Sequence, residues 1–286
     1  MKKEIKEPKP LESALKAYDN RSFLHSKDGR IIRIMTEYLY PEQKLRRAGI
    51  KRTVIFFGSA RFRSRENILS EIGEQKVLLK SEKSVTKKKA IKSVLEQLNR
   101  DIKLSEYYED ARKLSYLLTD WSNSLAKKNR INISTGGGPG IMEAANRGAY
   151  EAGGKSIGLN ISLPFEQKPN PYIDPNLNFE FHYFFMRKFW LIYLAQIMIV
   201  FPGGFGTIDE LMEILTLRQT GKMHSPKRIY LYSSKWWKNV INFDFLAEMG
   251  VIKKEDLKLF KFVNSPEQAF KLIKADLLGN HLDKRF

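Results

Sequence analysis

Ten residues, Phe201-Pro202-Gly203-Gly204-Phe205-Gly206-Thr207-Ile208-Asp209-Glu210, restrict what this chain can fold into more than any other stretch. The apolar run 196–201 that leads into them has the make-up of a strand buried on both faces. Beyond them Ile208, Leu211, Met212 and Leu215 recur at helical spacing. The reading is strand, glycine turn, helix. Glycines at 203, 204 and 206 leave no Cβ between a ligand and the backbone N–H groups, and the helix N-terminus beyond carries partial positive charge. An anion such as phosphate is the expected occupant. A second reading stays open: Thr207 and Glu210 have capping-box spacing, which would make Glu210 a helix cap and nothing more.

The same pattern occurs twice upstream. The run 53–57 ends in Gly58-Ser59-Ala60-Arg61, and 131–134 enters Thr135-Gly136-Gly137-Gly138-Pro139-Gly140-Ile141-Met142-Glu143-Ala144. Ala144, Ala145, Gly148, Ala149 and Ala152 then form a small-residue stripe that would let a helix axis lie close to a sheet. Further strands are predicted at 155–161 and 228–232, with an extended segment at 179–183. Strands alternating with helices predict an α/β fold, a Rossmann-like doubly wound parallel sheet with helices on both faces. Each glycine turn follows a strand, so all three are expected at one edge, where such sheets bind ligands.

Around this frame the chain divides into a basic N-terminal arm and helix over 1–52 and a nucleotide-binding domain over 53–286. Residues 62 to about 103 are helical and charged, too long for a plain connection, and read as a helical insertion before a crossover helix at 107–125. The loop from Pro164 to Asn176 carries four prolines and is placed to cover a ligand. The stretch 184–195 is apolar on every side, which predicts a buried helix. Arg187 and Lys188 are the only formally charged residues between Phe181 and Ile208. A guanidinium in such a run needs an anionic partner or an escape to solvent, and the spacing leaves both open. Trp236 and Trp237 read as core or interface, and Ser265-Pro266-Glu267-Gln268 as the capping box of the last helix.

A formal charge of +18 raises the question of nucleic acid. Residues 131–221, however, hold six basic and eight acidic side chains, so the excess lies outside the glycine-rich region. The Lys-rich stretch 80–89 has no aromatic residue to stack a base and reads as a solvated helical face, with RNA or another polyanion as the alternative. The longest apolar stretch, 189–201, is broken by Gln196 and is too short for a bilayer, and no apolar segment follows the basic start. The expectation is a cytoplasmic protein without membrane contact. With no cysteine, disulfides and thiolate metal sites are excluded.

Taken in order, Gly58-Ser-Ala, the Thr135–Ala144 turn, Phe185-Met-Arg-Lys188 and Pro202–Glu210 resemble the LOG (Lonely guy) family over residues 53 to about 232. These are nucleoside 5′-monophosphate phosphoribohydrolases, long labelled lysine decarboxylases. Phe-Phe-Met before Arg187 matches the longer bacterial members. The resemblance implies hydrolysis of the N-glycosidic bond of an AMP-like nucleotide to free base and ribose 5-phosphate, by a homodimer or larger homo-oligomer. It implies Arg187 and Glu210 as catalytic residues and Gly203, Gly204, Gly206 and Thr207 as the phosphate site. Gly136, Gly137 and Gly138 would form the site floor, with Gly58, Ser59, Met142, Glu143, Met186 and Lys188 near the substrate. No cofactor or metal is expected: Gly58-Ser59-Ala60-Arg61 stands where calcium-dependent nucleoside hydrolases need acidic residues, and nothing argues for a pyridoxal phosphate site. The alternatives are a nucleotide-binding sensor or carrier on the same fold, and a nucleic-acid-binding protein.

Overall fold

The computed structural model describes residues 12–164, 168–223 and 227–279. Its centre is a seven-stranded sheet formed by β1 (Thr53–Phe57), β2 (Asn132–Thr135), β3 (Ser156–Ile161), β4 (Asn178–Phe181), β5 (Ala195–Val200), β6 (Arg228–Tyr232) and β7 (Phe260–Val263). The order is β4-β3-β2-β1-β5-β6-β7, and every neighbouring pair is parallel. β1 is buried at every position because helices cover both faces, which is why its sequence is a continuous apolar run. One face is packed by Ile55, Phe57, Met198 and Val200 with Trp190, Leu211 and Trp237. The other is packed by Val54, Phe56, Ile197 and Ile199 with Tyr108, Leu114 and Ala145.

The helices are α1 (Arg21–His25), α2 (Arg30–Arg47), α3 (Arg65–Ser81), α4 (Val85–Asn123), α5 (Ile141–Glu151), α6 (Phe184–Tyr193), α7 (Phe205–Gln219), α8 (Ser234–Val240), α9 (Phe243–Glu248) and α10 (Pro266–Gly279). The doubly wound α/β architecture and the strands 53–57 and 228–232 agree with the sequence reading. Trp237 is core, fully buried, with its indole N–H donating to Val200 O. Among the described residues no helix is long and apolar enough to cross a membrane.

Several local expectations change. The predicted insertion and crossover helix are not separate: α4 runs unbroken for 39 residues, because no glycine or proline interrupts it. Its first part pairs with α3 through Ile68, Ile72 and Leu98. Gly148 of the small-residue stripe faces α4 rather than the sheet; a Cβ there would lie 2.1 Å from Arg112 O. α6 is not buried all round, since Phe184, Phe185, Phe189 and Tyr193 are exposed. Most consequentially, α7 starts at Phe205 with Gly204 as N-cap, so Thr207 is already the third helical residue and no Thr207–Glu210 capping box forms. Glycine adds nothing to the apolar periodicity, so the helix starts earlier than that pattern suggests. β7 and α9 were not foreseen. Of the charged arm, residues 1–11 lie outside the described residues, as do 165–167 of the proline-rich loop.

Candidate active site

β1, β2 and β5 are neighbours, and the winding of the sheet reverses between β1 and β5, which places a crevice at their carboxyl ends. The three glycine turns meet there and are tied by their backbones. Ser59 N donates to Pro202 O at 3.0 Å, and Ile141 N donates to Ser59 O at 3.0 Å. Gly140, with φ of +73°, passes so near that a Cβ would lie 2.2 Å from Ser59 O, and a Cβ on Gly58 would lie 2.7 Å from Ile141. Glycine is required at both by this close approach.

At the start of α7 no side chain caps the helix. The first intrahelical bond runs from Ile208 N to Gly204 O at 3.0 Å, so the amides of Phe205, Gly206 and Thr207 have no acceptor within the helix. Gly203 is pressed against Thr207, where a Cβ would come 2.1 Å from Oγ1, whereas Gly204 and Gly206 face open space. Donors at the positive end of a helix, with room in front of them, suit an anion.

Glu210 lies one turn further along α7 and is 5% exposed. Arg187 of α6 reaches it, Nη2 standing 3.6 Å from Oε1, with the guanidinium over the Phe184 ring at 5.4 Å. The other arm of the guanidinium points toward the β2 turn: a Cβ on Gly136 would lie 3.9 Å from Nη1 and 2.9 Å from Met142 Sδ. Arg187 therefore turns inward to a carboxylate instead of snorkelling to solvent. Burial pushes the Glu210 carboxyl up to about 7, more than Lys188 and Arg187 pull it down, and Glu213 and Asp209 add to the rise. Burial also lowers the Arg187 guanidinium from its usual value. Among the described residues, neither Glu210 Oε2 nor Arg187 Nε has a hydrogen-bond partner. A carboxyl poised near neutrality with one oxygen unpaired can take or give a proton.

The remaining proposed site residues divide. Gly58, Ser59, Gly136, Met142, Arg187, Gly203, Gly204, Gly206, Thr207 and Glu210 line or brace this edge. Lys188 is committed elsewhere, its ammonium 2.6 Å from Asp209 and 2.9 Å from Glu213, so it clasps α6 to α7. Met186 is buried in the core, and Glu143 accepts a hydrogen bond from Tyr108 at 2.8 Å. Gly137 (φ +77°) and Gly138 are held by residues the sequence did not single out. Asn170 Nδ2 donates to Gly137 O at 2.9 Å, to Gly138 O at 3.1 Å and to Asn146 Oδ1 at 3.0 Å. Thr135 Oγ1 donates to Asn146 Oδ1 at 2.7 Å, and Asn160 Oδ1 leaves no space for a Cβ on Gly137. The only signal for these asparagines was their proximity to glycine turns, which every loop shares.

A family model described as "Possible lysine decarboxylase" matches residues 142–273, a span that contains both Arg187 and Glu210. The cytokinin riboside 5′-monophosphate phosphoribohydrolase LOG5 of Arabidopsis thaliana is 27% identical over 159 residues, 54% of this chain and 65% of that protein. The chain is similar to the LOG family over these residues. A probable LOG4 of Oryza sativa subsp. japonica is also 27% identical, over 160 residues covering 54% of this chain and 68% of that one. The match to the Arabidopsis LOG protein spans just under two thirds of that relative's length. Among solved structures, the Moco carrier protein from Chlamydomonas reinhardtii is 18% identical, with a TM-score of 0.43 over 80% of this chain and 99% of that one.

Proposed function

We propose that this chain acts as the LOG-type enzymes it resembles, hydrolysing the N-glycosidic bond of an AMP-like nucleoside 5′-monophosphate to give the free base and ribose 5-phosphate. The observation that carries the reading is the buried Arg187–Glu210 pair standing one helical turn beyond an uncapped, glycine-opened helix start. The phosphate sits on the amides of residues 205–207, which places the ribose toward Glu210. As the C1′–N bond breaks, its electron pair leaves with the base and positive charge grows on the sugar. The Glu210 carboxylate stabilises that charge and takes a proton from the water whose oxygen forms the new bond to C1′. That proton is passed on, by way of solvent, to the departing base, which regenerates the carboxylate, and Arg187 offsets negative charge on either the base or the phosphate.

The test is incubation of the pure protein with a panel of nucleoside 5′-monophosphates, following free base by chromatography. Release from wild-type protein and none from Glu210→Gln is the expected outcome; binding without release would instead make the chain a nucleotide sensor or carrier. Self-association belongs to the same proposal. Exposed Phe189 and Tyr193 on α6 stack on each other beside exposed Tyr38 of α2, an apolar face suited to a second copy. Light scattering that reports a monomer at micromolar concentration would remove it.

A further inference from the structure

α6 carries Arg187, yet its own sequence provides no helix cap. Tyr183 stands at the N-cap and makes no side-chain bond to the first turn, where Ser, Thr, Asp or Asn would ordinarily serve. The two amides just before the helix, those of His182 and Tyr183, find an acceptor on α2, far back in the chain. Glu37 Oε1 accepts from His182 N at 2.8 Å, and its Oε2 accepts from Tyr183 N at 3.3 Å. One carboxylate thus takes both amides at the corner between β4 and α6, and its negative charge faces the positive end of the helix. The backbone carbonyl of the same residue accepts from Trp190 Nε1 at 3.0 Å, so Glu37 holds α6 near both ends. Arg33 Nε donates to Tyr183 OH at 3.3 Å, the Arg30 guanidinium lies 5.6 Å from the Tyr183 ring, and Tyr38 packs 5.5 Å from Phe189.

We infer that Glu37 is a positioning residue for Arg187, fixing through the Tyr183 peptide where the guanidinium stands beside Glu210. The connection is short. Glu37 binds the Tyr183 amide, and the Tyr183 carbonyl accepts the first helical bond, from Arg187 N at 3.1 Å. Arg187 and Glu210 already sit at 3.6 Å, so a small tilt of α6 takes the guanidinium out of range. The N-terminal helix then does more than pack against the domain, because it sets the geometry of the pair. Its consequence for turnover rests on the function proposed above; its consequence for the ionisation of Glu210 does not.

The charged groups around the pair limit what else could move. Glu210 is faced by Arg187 and Lys188 of α6 and by Asp209 and Glu213 of its own helix, and Arg187 also feels Glu180 of β4. Around Tyr183, whose amide Glu37 binds, stand Arg33, Arg30 and the His182 ring. Lys188 is anchored to Asp209 and Glu213 on α7 and keeps α6 attached when Glu37 is lost.

The experiment follows the Glu210 carboxyl by carbon-13 NMR titration, with its signal assigned by its absence in Glu210→Gln. In Glu37→Ala the withdrawn guanidinium raises the midpoint by at least about 0.5 pH unit, with Glu37→Gln, which keeps one acceptor, in between. If the wild type releases base, Glu37→Ala also loses about tenfold in kcat with KM nearly unchanged, and the acid limb of its pH profile moves with the NMR midpoint. A Glu210 midpoint identical in wild type and in the folded variants overturns the inference, whether or not the protein turns over nucleotides. Should Glu37→Ala fail to fold, the comparison of wild type with Glu37→Gln decides it. A wild type without activity but with a shifted midpoint in the variants sinks only the proposed reaction.

Discussion

Arg187 and Glu210 stand 3.6 Å apart across the contact between two helices, and each keeps one buried polar atom without a hydrogen-bond partner among the described residues. A pair built for stability alone would satisfy those atoms, since leaving a buried polar group unmade costs about 1–3 kcal/mol. Strain of this kind concentrates where a ligand completes the bonding, and it makes the pair sensitive to simple substitutions.

Glu210→Gln separates chemistry from stability. The carboxyl has an ordinary value of 4.5 and is held up to about 7 in the folded protein, so the fold retains this proton longer than the unfolded chain does. Its cost to stability is absent below about pH 4.5, grows as pH rises, and is complete above about pH 7. Relative to wild type the variant should gain stability across that window, on the order of 2–3 kcal/mol in total, while losing base release. Urea unfolding at pH 4.5 and pH 8 checks the sign; a stability difference that does not change with pH would refute the burial of a titrating carboxyl.

Arg187→Lys should not substitute for arginine. The planar guanidinium lies over Phe184, touches Glu210 with one arm and faces Gly136 with the other, and a point charge cannot span these contacts. Both Arg187→Lys and Arg187→Ala are expected to keep the fold by circular dichroism and to lose at least about a hundredfold in kcat/KM. Collapse of the fold in both would assign the arginine a structural role instead.

The glycine turn makes a contrast between neighbours. Gly206→Ala introduces a methyl group into open space within a helix and should leave melting unchanged or improve stability by up to about 1 kcal/mol. If the amides there hold phosphate, the same change weakens ribose 5-phosphate binding in calorimetry. Gly203→Ala, whose methyl group would collide with Thr207, should lower both melting temperature and binding. Undiminished binding in Gly206→Ala would place the phosphate elsewhere.

Asn170→Ala removes the donor that Gly137 O, Gly138 O and Asn146 Oδ1 share. A destabilisation of about 1–3 kcal/mol is expected from the acceptors left buried, with slower turnover because the turn facing Arg187 loosens. Thermal unfolding indistinguishable from wild type would mean that the backbone bond from Asn170 N to Gly137 O suffices to hold it.

Much of the frame was readable because its causes are local. A run such as 53–57 is apolar at every position only where both faces of a strand are covered, and a glycine turn after it leaves few ways to continue. β7 escaped notice because Phe260-Lys261-Phe262-Val263 is short and lies at the edge of the sheet. The start of α7 differs from the pattern for a related reason: glycine carries no periodic signal, so the apolar repeat begins at Ile208 while the helix begins at Phe205.

The roles expected of Arg187 and Glu210 came from the family resemblance, whereas from the order of residues alone came the parallel α/β frame and the three strand–glycine–helix turns at one edge. Neighbouring residues and their sterics decide such features. That Glu210 is buried against Arg187 rather than spent on a helix cap, that Lys188 is engaged by two carboxylates, and that Glu37 binds the amide of His182, 145 positions away, at the entry to α6 were decided by the tertiary structure. Those contacts depend on how whole elements pack and which side chains packing deprives of water, and no local pattern encodes either.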